Sequence, residues 1–162
     1  NAQVCAEMHC DKHVVKMILE YAQLLSTAHR ELDGDDFRAD NSGFYKATHK
    51  NHPSAIWARE TTANYRWVHG LLLSLCDQYT ARYGKVHKTQ SSGVVDALSR
   101  YPNHLPIGHF TAPPQCMPDE YKAVDAVDAY RDYYLGEKMY MAKWSYSERP
   151  TWANSNHEGN VI

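Results

Sequence analysis

The stretch Asp11-Lys12-His13-Val14-Val15-Lys16-Met17-Ile18-Leu19-Glu20-Tyr21-Ala22-Gln23-Leu24-Leu25-Ser26-Thr27-Ala28-His29-Arg30 decides the fold. At about 100° per residue, Val14, Val15, Ile18, Leu19, Ala22 and Leu25 fall on one side, which must face a core. His13, Lys16, Glu20, Gln23 and Thr27 recur on the opposite side, with His9 continuing the stripe one turn earlier. The helical pattern starts near Ala2 and is strongest over residues 11–30, where Asp11 reads as an N-cap. It runs out in the acidic turn Glu31-Leu32-Asp33-Gly34-Asp35-Asp36.

Working outward, residues 33–51 read as a loop, with Asn41-Ser42-Gly43 as a turn. A second helix is expected over about residues 52–82. Pro53 stands at its first position, where the missing N–H costs nothing. Its apolar stripe is Ile56, Trp67, Val68, Leu71, Leu72, Leu75 and Tyr79, and Gly84 reads as its C-cap. Residues 89–118 are loop-rich, holding Pro102, Pro106, Pro113 and Pro114, with a short helix around 94–101. A third helix is expected over about residues 123–143, with Val127, Tyr130, Tyr134, Met141 and Trp144 facing inward, and a tail follows over 145–162. Strand-like alternation is nearly absent. The chain therefore reads as all-α, a compact single domain of three main helices with long loops.

A chain of 162 residues with 43% hydrophobic and 22% charged side chains can build one core and is neither disordered nor collagen-like. No apolar run nears the roughly 20 residues of a membrane helix, so no membrane is expected. The first residue is Asn1, so an upstream piece is expected. Cys5, Cys10, Cys76 and Cys116 form no CxxC pair and suit reduced thiols in a cytosolic setting. His9 and Cys10, adjacent on a helix, would diverge by about 100°, which disfavours a zinc site with Cys5 and His13. No metal or cofactor is expected. Walker, GxGxxG, HExxH, GxSxG and zinc-deaminase signatures are missing.

The net charge of −2 hides an uneven distribution. Residues 1–40 carry −4, residues 41–105 carry +5 together with five histidines, and residues 106–162 carry −3. A cationic middle in an acidic chain suits a protein with one phosphate-facing side. Its candidates are Lys46, His49, Lys50 and His52 before the second helix, Arg59 and Arg66 along it in a stripe with Thr62 and His69, and Arg82, Lys85 and Lys88 at its far end. Among possible reacting groups, Glu20 follows Lys16 by one turn and His13 by two. A carboxylate there can move a proton or stabilise a developing cation, and a lysine amine can form an imine. An ordinary surface pair at i,i+4 has the same spacing. Most of the aromatics read as core; Trp152, beyond the last helix beside Arg149, reads as free to stack on a partner.

Four short motifs, in order, resemble the phage endonuclease V-type pyrimidine-dimer DNA glycosylases. Asp11-Lys12-His13 is similar to that family's Asp-x-His on its first helix, with Glu20 at the place of its glutamate. Asn51-His52-Pro53 resembles the entry to its second helix, and Met117-Pro118-Asp119-Glu120-Tyr121 the stretch before its last. Ser147-Glu148-Arg149-Pro150-Thr151-Trp152 is similar to its Ser-x-Arg-Pro-Thr-Trp run. The run Cys10-Asp11-Lys12-His13-Val14-Val15-Lys16-Met17 also resembles a group of phage proteins.

The resemblance implies an enzyme that flips a pyrimidine nucleotide out of double-stranded DNA, attacks the sugar with an amine, forms an imine and cleaves the strand. It implies Glu20 as the catalytic carboxylate, His13 as a phosphate or sugar contact beside Lys12, and Arg149 and Trp152 on the DNA side. It also implies a monomer without cofactor in the host cytoplasm. Leu19 and Gln23 stand where the family has arginines, and the family's nucleophilic threonine amine has no matching residue. Three alternatives follow: an upstream amine, Lys16 in its place, or a scaffold with a changed reaction. A base-hypermodifying enzyme and a DNA-binding accessory protein are the competing functions.

Overall fold

The computed structural model describes residues 1–35, 37–115, 142–145 and 148–154, and among these it is all-α, with no strand. Among the described residues seven α-helices follow one another: α1 (Ala2–Met8), α2 (Asp11–Asp33), α3 (Phe37–Asn41), α4 (Pro53–Ala58), α5 (Thr62–Tyr83), α6 (Lys88–Ser91) and α7 (Val94–Ala97). A 3-10 turn spans Thr151–Asn154. The helix expected at 123–143 lies almost wholly outside the described residues. So do Met117, Pro118, Asp119, Glu120, Tyr121, Cys116 and Ser147.

The core is the packing of α1 and α2 onto α5. Val14, Ile18, Ala22 and Leu25 of α2 are fully buried, as are Leu72 and Leu75 of α5. Each such Leu or Ile contributes about 1.5–3 kcal/mol through the apolar area it removes from water. Three residues assigned to the core stripes sit at its margin: Val15 and Leu19 are each 39% exposed and Ile56 is 41% exposed. All lie at the edge of the apolar arc rather than its centre.

Several boundaries differ from expectation: α3 forms within the segment 33–51 read as a loop, α6 precedes the expected short helix, and α7 stops at Ala97. The first pattern is interrupted, because extended backbone at His9 and Cys10 separates α1 from α2. Asp11 is the first helical residue and Cys10 the cap, since the Asp11 carboxylate is engaged elsewhere. One oxygen accepts from Arg82 Nη1 at 3.1 Å and the other from the Ser145 N–H at 2.9 Å, while the Asp11 N–H donates to the Lys143 carbonyl at 2.8 Å.

The second long helix is two helices, because Thr61 turns extended and caps α5 by accepting the Asn64 N–H. Asn64, fully buried, donates in turn to the Trp57 carbonyl at the end of α4. The stripe Arg59–Thr62–Arg66–His69 therefore crosses a break. Pro53 at the start of α4 and Gly84, left-handed at φ 70° after α5, stand where expected.

Loops are fastened to α2 by buried polar side chains. The guanidinium of Arg30 donates to Asp35, Asp40 and the carbonyls of Phe44 and Tyr45, drawing residues 35–45 onto the helix end. Asp33 accepts from the Asn103 N–H and from the backbone and ring of His104. Burial favours its neutral form, but these donors outweigh burial and hold the carboxyl below its usual value.

At the centre, the Tyr65 hydroxyl donates to the Leu98 carbonyl at 2.6 Å and bonds His29 Nε2 at 2.9 Å. The hydroxyl proton is committed to Leu98, so His29 donates. Burial lowers the His29 pKa to about 4; Asp33 opposes the shift and Arg38 adds to it.

An imidazole neutral in the folded chain and normally basic when unfolded makes stability depend on pH. The unfolded chain binds the extra proton between pH 6.5 and about 4, so stability falls as pH falls through that window. Urea unfolding at pH 7 and pH 4.5 should show a loss of about 2 kcal/mol from this group, and His29→Gln should reduce the dependence to the part that the buried His9 and His87 contribute. A wild-type curve flat over this range would remove His29 from the buried network.

Candidate nucleic-acid interface

The outward stripe of α2 is the surface on which the sequence places its reacting groups. Lys16 Nζ lies 3.4 Å from Glu20 Oε1, with the side chains 68% and 44% exposed. This is an i,i+4 surface pair worth a few tenths of a kcal/mol to the helix. Among the described residues, no arginine or histidine bonds Glu20. His13 is half-buried, its ring 6.4 Å from that of His9, and Lys12 is exposed. His9 Nδ1 donates to the Cys5 carbonyl at 2.7 Å, and burial lowers its pKa. Among the described residues, no three His, Cys, Asp or Glu side chains gather to hold a metal ion. Burial pushes the Cys76 thiol up to about 12, which removes it as a nucleophile.

Two cation-bearing segments pack near this helix, the first bonded to it beyond the Lys16–Glu20 pair and the second through α6. Thr27, fully buried, is the last member of the stripe. Its hydroxyl accepts the Thr48 N–H at 3.1 Å and shares its proton between the carbonyls of Gln23 (2.8 Å) and Thr48 (3.3 Å). That bond seats residues 46–50 on α2 seven residues beyond Glu20, about 10 Å along the axis. Lys46, His49, Lys50 and His52 are all exposed there. His49 adopts φ 48° in the turn, and His52 caps α4 by accepting the Ser54 N–H through Nδ1.

Arg59, at the end of α4, donates to the Lys50 carbonyl at 2.7 Å, while its Nη1 has no acceptor among the described residues and is out of contact with solvent. The charge of Arg59 is thus continuous with the Lys46–Lys50 cluster.

The second segment carries Lys85 and Lys88, both exposed. Its anchor is His87, which accepts the Thr89 N–H and meets the Tyr79 ring edge-on at 4.8 Å, and α6, which follows it, packs against α2. Burial lowers the His87 pKa, with the Val15 backbone opposing, so the lysines and not this histidine supply the charge. The two segments are also joined directly, because the Tyr45 hydroxyl lies 3.2 Å from that of Thr89.

The remaining candidates divide. Arg66 is exposed on α5. His69 turns inward to the Val95 carbonyl at 2.9 Å. Arg82 does not belong to the cationic surface. It is 5% exposed, and it bonds Asp11, the carbonyls of His9 and Glu7, and Gln78, locking α1 and the start of α2 to α5.

Trp152 is not a free aromatic. It meets Trp144 edge-on at 6.5 Å, and its indole N–H lies 3.3 Å from Met8 Sδ, so the tail packs back on the domain. Arg149 sits 5.8 Å over the Trp144 ring and donates to the Ala153 carbonyl. An open depression lined among the described residues by Ala142, Lys143, Trp144, Ser145 and Arg149 lies beside it.

Sequence reasoning did not find Thr27 as an anchor. The signal was a small polar residue closing an otherwise exposed stripe. Nor did it find the loop 106–111, which α5 holds at its start.

Compared with known proteins, the chain matches no family model, no curated protein and no solved structure. Among the described residues, no helix is long and apolar enough to cross a membrane.

Thr27→Val keeps shape and removes the hydroxyl, leaving the Thr48 N–H without its acceptor at a cost of about 1–3 kcal/mol. Hydrogen exchange at the Thr48 amide should speed up markedly in the variant, with α5 amides unchanged. Equal protection in both proteins would contradict the anchoring of residues 46–50 to α2.

Proposed function

We propose that the protein binds the phosphate backbone of duplex DNA along the outward stripe of α2 and acts there on a pyrimidine nucleotide as a glycosylase with lyase activity. The observation that carries the reading is the seating of the Lys46–Lys50 segment on the helix that holds an amine and a carboxylate 3.4 Å apart, with the Lys85–Lys88 segment joined to it through the Tyr45–Thr89 contact. Fixed cations spaced along a helix neutralise successive phosphates and release their counterions. Lys16 offers the amine that the resemblance requires and Glu20 the carboxylate. In that scheme the amine bonds to C1′ as the pyrimidine leaves with a proton. The C1′–O4′ bond then opens to an imine with protonation of O4′, and loss of a proton from C2′ expels the 3′ phosphate. Water releases the amine. Chemistry of this kind would serve in the cytoplasm of an infected host, carried out by a monomer.

The exposure of Lys16 and Glu20 favours a second reading, a DNA-binding accessory protein without chemistry. Borohydride trapping on abasic duplex separates the two. A covalent adduct lost in Lys16→Ala, with strand cleavage lost but binding kept in Glu20→Gln, supports the enzyme. Binding without adduct, weakening steeply with salt, leaves only the accessory role.

For either reading, Lys46→Ala or Lys88→Ala should weaken binding alike for all duplex sequences. Each should reduce the slope of log affinity against log salt by about 1. Slopes unchanged in both would take these segments off the DNA.

A further inference from the structure

The loop 106–111 presents an apolar tip that the core does not use. Ile107 is 95% exposed and Phe110 is 49% exposed. A loop free to move would fold such side chains inward, away from water. This one is held by its backbone and by polar bonds to the start of α5. Thr62 donates its N–H to the Pro106 carbonyl at 2.9 Å, and the Thr61 hydroxyl donates to the His109 carbonyl at 3.0 Å. Asn64 accepts the Thr111 N–H at 2.9 Å, and the Trp57 indole donates to the Thr111 carbonyl at 3.1 Å. Gly108 lies so close to Thr61 that a Cβ there would come within 2.9 Å of Thr61 Cγ2, a stiff β-branched neighbour. Phe110 rests edge-on against Trp57 at 5.5 Å, which leaves Ile107 alone at the summit.

The surroundings of this tip are cationic. Arg59 lies two residues before Thr61 and bonds Lys50, and Arg66, exposed, follows one turn into α5. A rigid apolar point flanked by phosphate-binding charge has the chemistry of a side chain that enters stacked bases. Rigidity matters because a preformed loop loses little conformational freedom when it inserts.

From this geometry we infer that the loop 106–111 is a wedge. Ile107 inserts between stacked bases of duplex DNA while Arg66 and Lys50 hold the flanking phosphates. The inference rests on the DNA reading above and adds how the helix is opened: unstacking at one step lowers the cost of extruding a nucleotide.

The test uses duplexes carrying a single 2-aminopurine, titrated with the wild-type chain, Ile107→Ala and Gly108→Ala. Wild-type binding should raise the fluorescence several-fold. Ile107→Ala should bind within a few fold of wild type, with the same salt slope and an unchanged melting temperature, yet leave the fluorescence at the free-duplex level. Gly108→Ala, which displaces the tip without altering its side chains, should show a partial rise. Wild-type fluorescence in Ile107→Ala, or binding by the wild type with no rise at any probe position, would overturn the wedge and leave the DNA reading standing. A wild-type dimer that Ile107→Asp dissociates, with unstacking unaffected, would assign the tip to self-contact and also overturn it. Failure of the wild type to bind any duplex would instead sink the DNA reading itself.

Discussion

The buried hydroxyl of Thr27, closed on both the N–H and a carbonyl of Thr48, is the constraint on which the functional surface depends. A hydroxyl on the polar stripe of a helix would ordinarily stay in water. Here it is fully buried, and the segment that buries it carries Lys46, His49 and Lys50. A buried polar group keeps its partners because losing one costs the desolvation of the other. The cations of residues 46–50 are thereby tied to a rigid helix and not to a free loop. Lys85 and Lys88 are held through the packing of α6 on α2, and the Tyr45–Thr89 contact joins the two segments.

Two other buried side chains make that arrangement self-consistent. Arg82, with its side chain 1% exposed, binds Asp11 and two carbonyls of the α1–α2 link, which sets the start of α2 against α5. Arg30 fans across residues 35–45 and sets the approach of the following segment. Removing one partner of the buried Arg82–Asp11 pair leaves an uncompensated charge and costs about 3–5 kcal/mol. The cationic middle of the sequence is thus spent in two ways. Arg82 and the inward His69 and His87 hold the fold, while Lys46, Lys50, Lys85, Lys88 and Arg66 remain for a partner.

The helical nature of the chain was legible because its signals are local. The period of Val14, Ile18, Ala22 and Leu25, Pro53 at a helix start and left-handed Gly84 at a helix end each depend on a few neighbouring residues. The break at Thr61 was hidden because its apolar neighbours continue the same period across it. The signal present was a threonine three residues before Asn64, a cap pattern that a continuous stripe obscures. Arg82 was misplaced because charge was read as exposure; its partners lie more than seventy residues earlier in the chain, beyond any local pattern. Trp152 was misplaced because Met8, the neighbour that its indole reaches, stands at the other end of the chain and comes near it only in the fold. The Lys16–Glu20 pair was legible as a pair, but its surroundings were not: among the described residues, no arginine or histidine bonds Glu20.

The central claim is that residues 46–52, 85–91 and 106–111 form one surface facing duplex DNA. Hydrogen–deuterium exchange of the full chain, with and without a saturating duplex, tests it most directly. The account predicts added protection in these three segments and at the exposed edge of α2, with α1 and residues 148–154 unchanged. Protection confined to residues 142–154, or none at a duplex concentration that saturates binding, would contradict it.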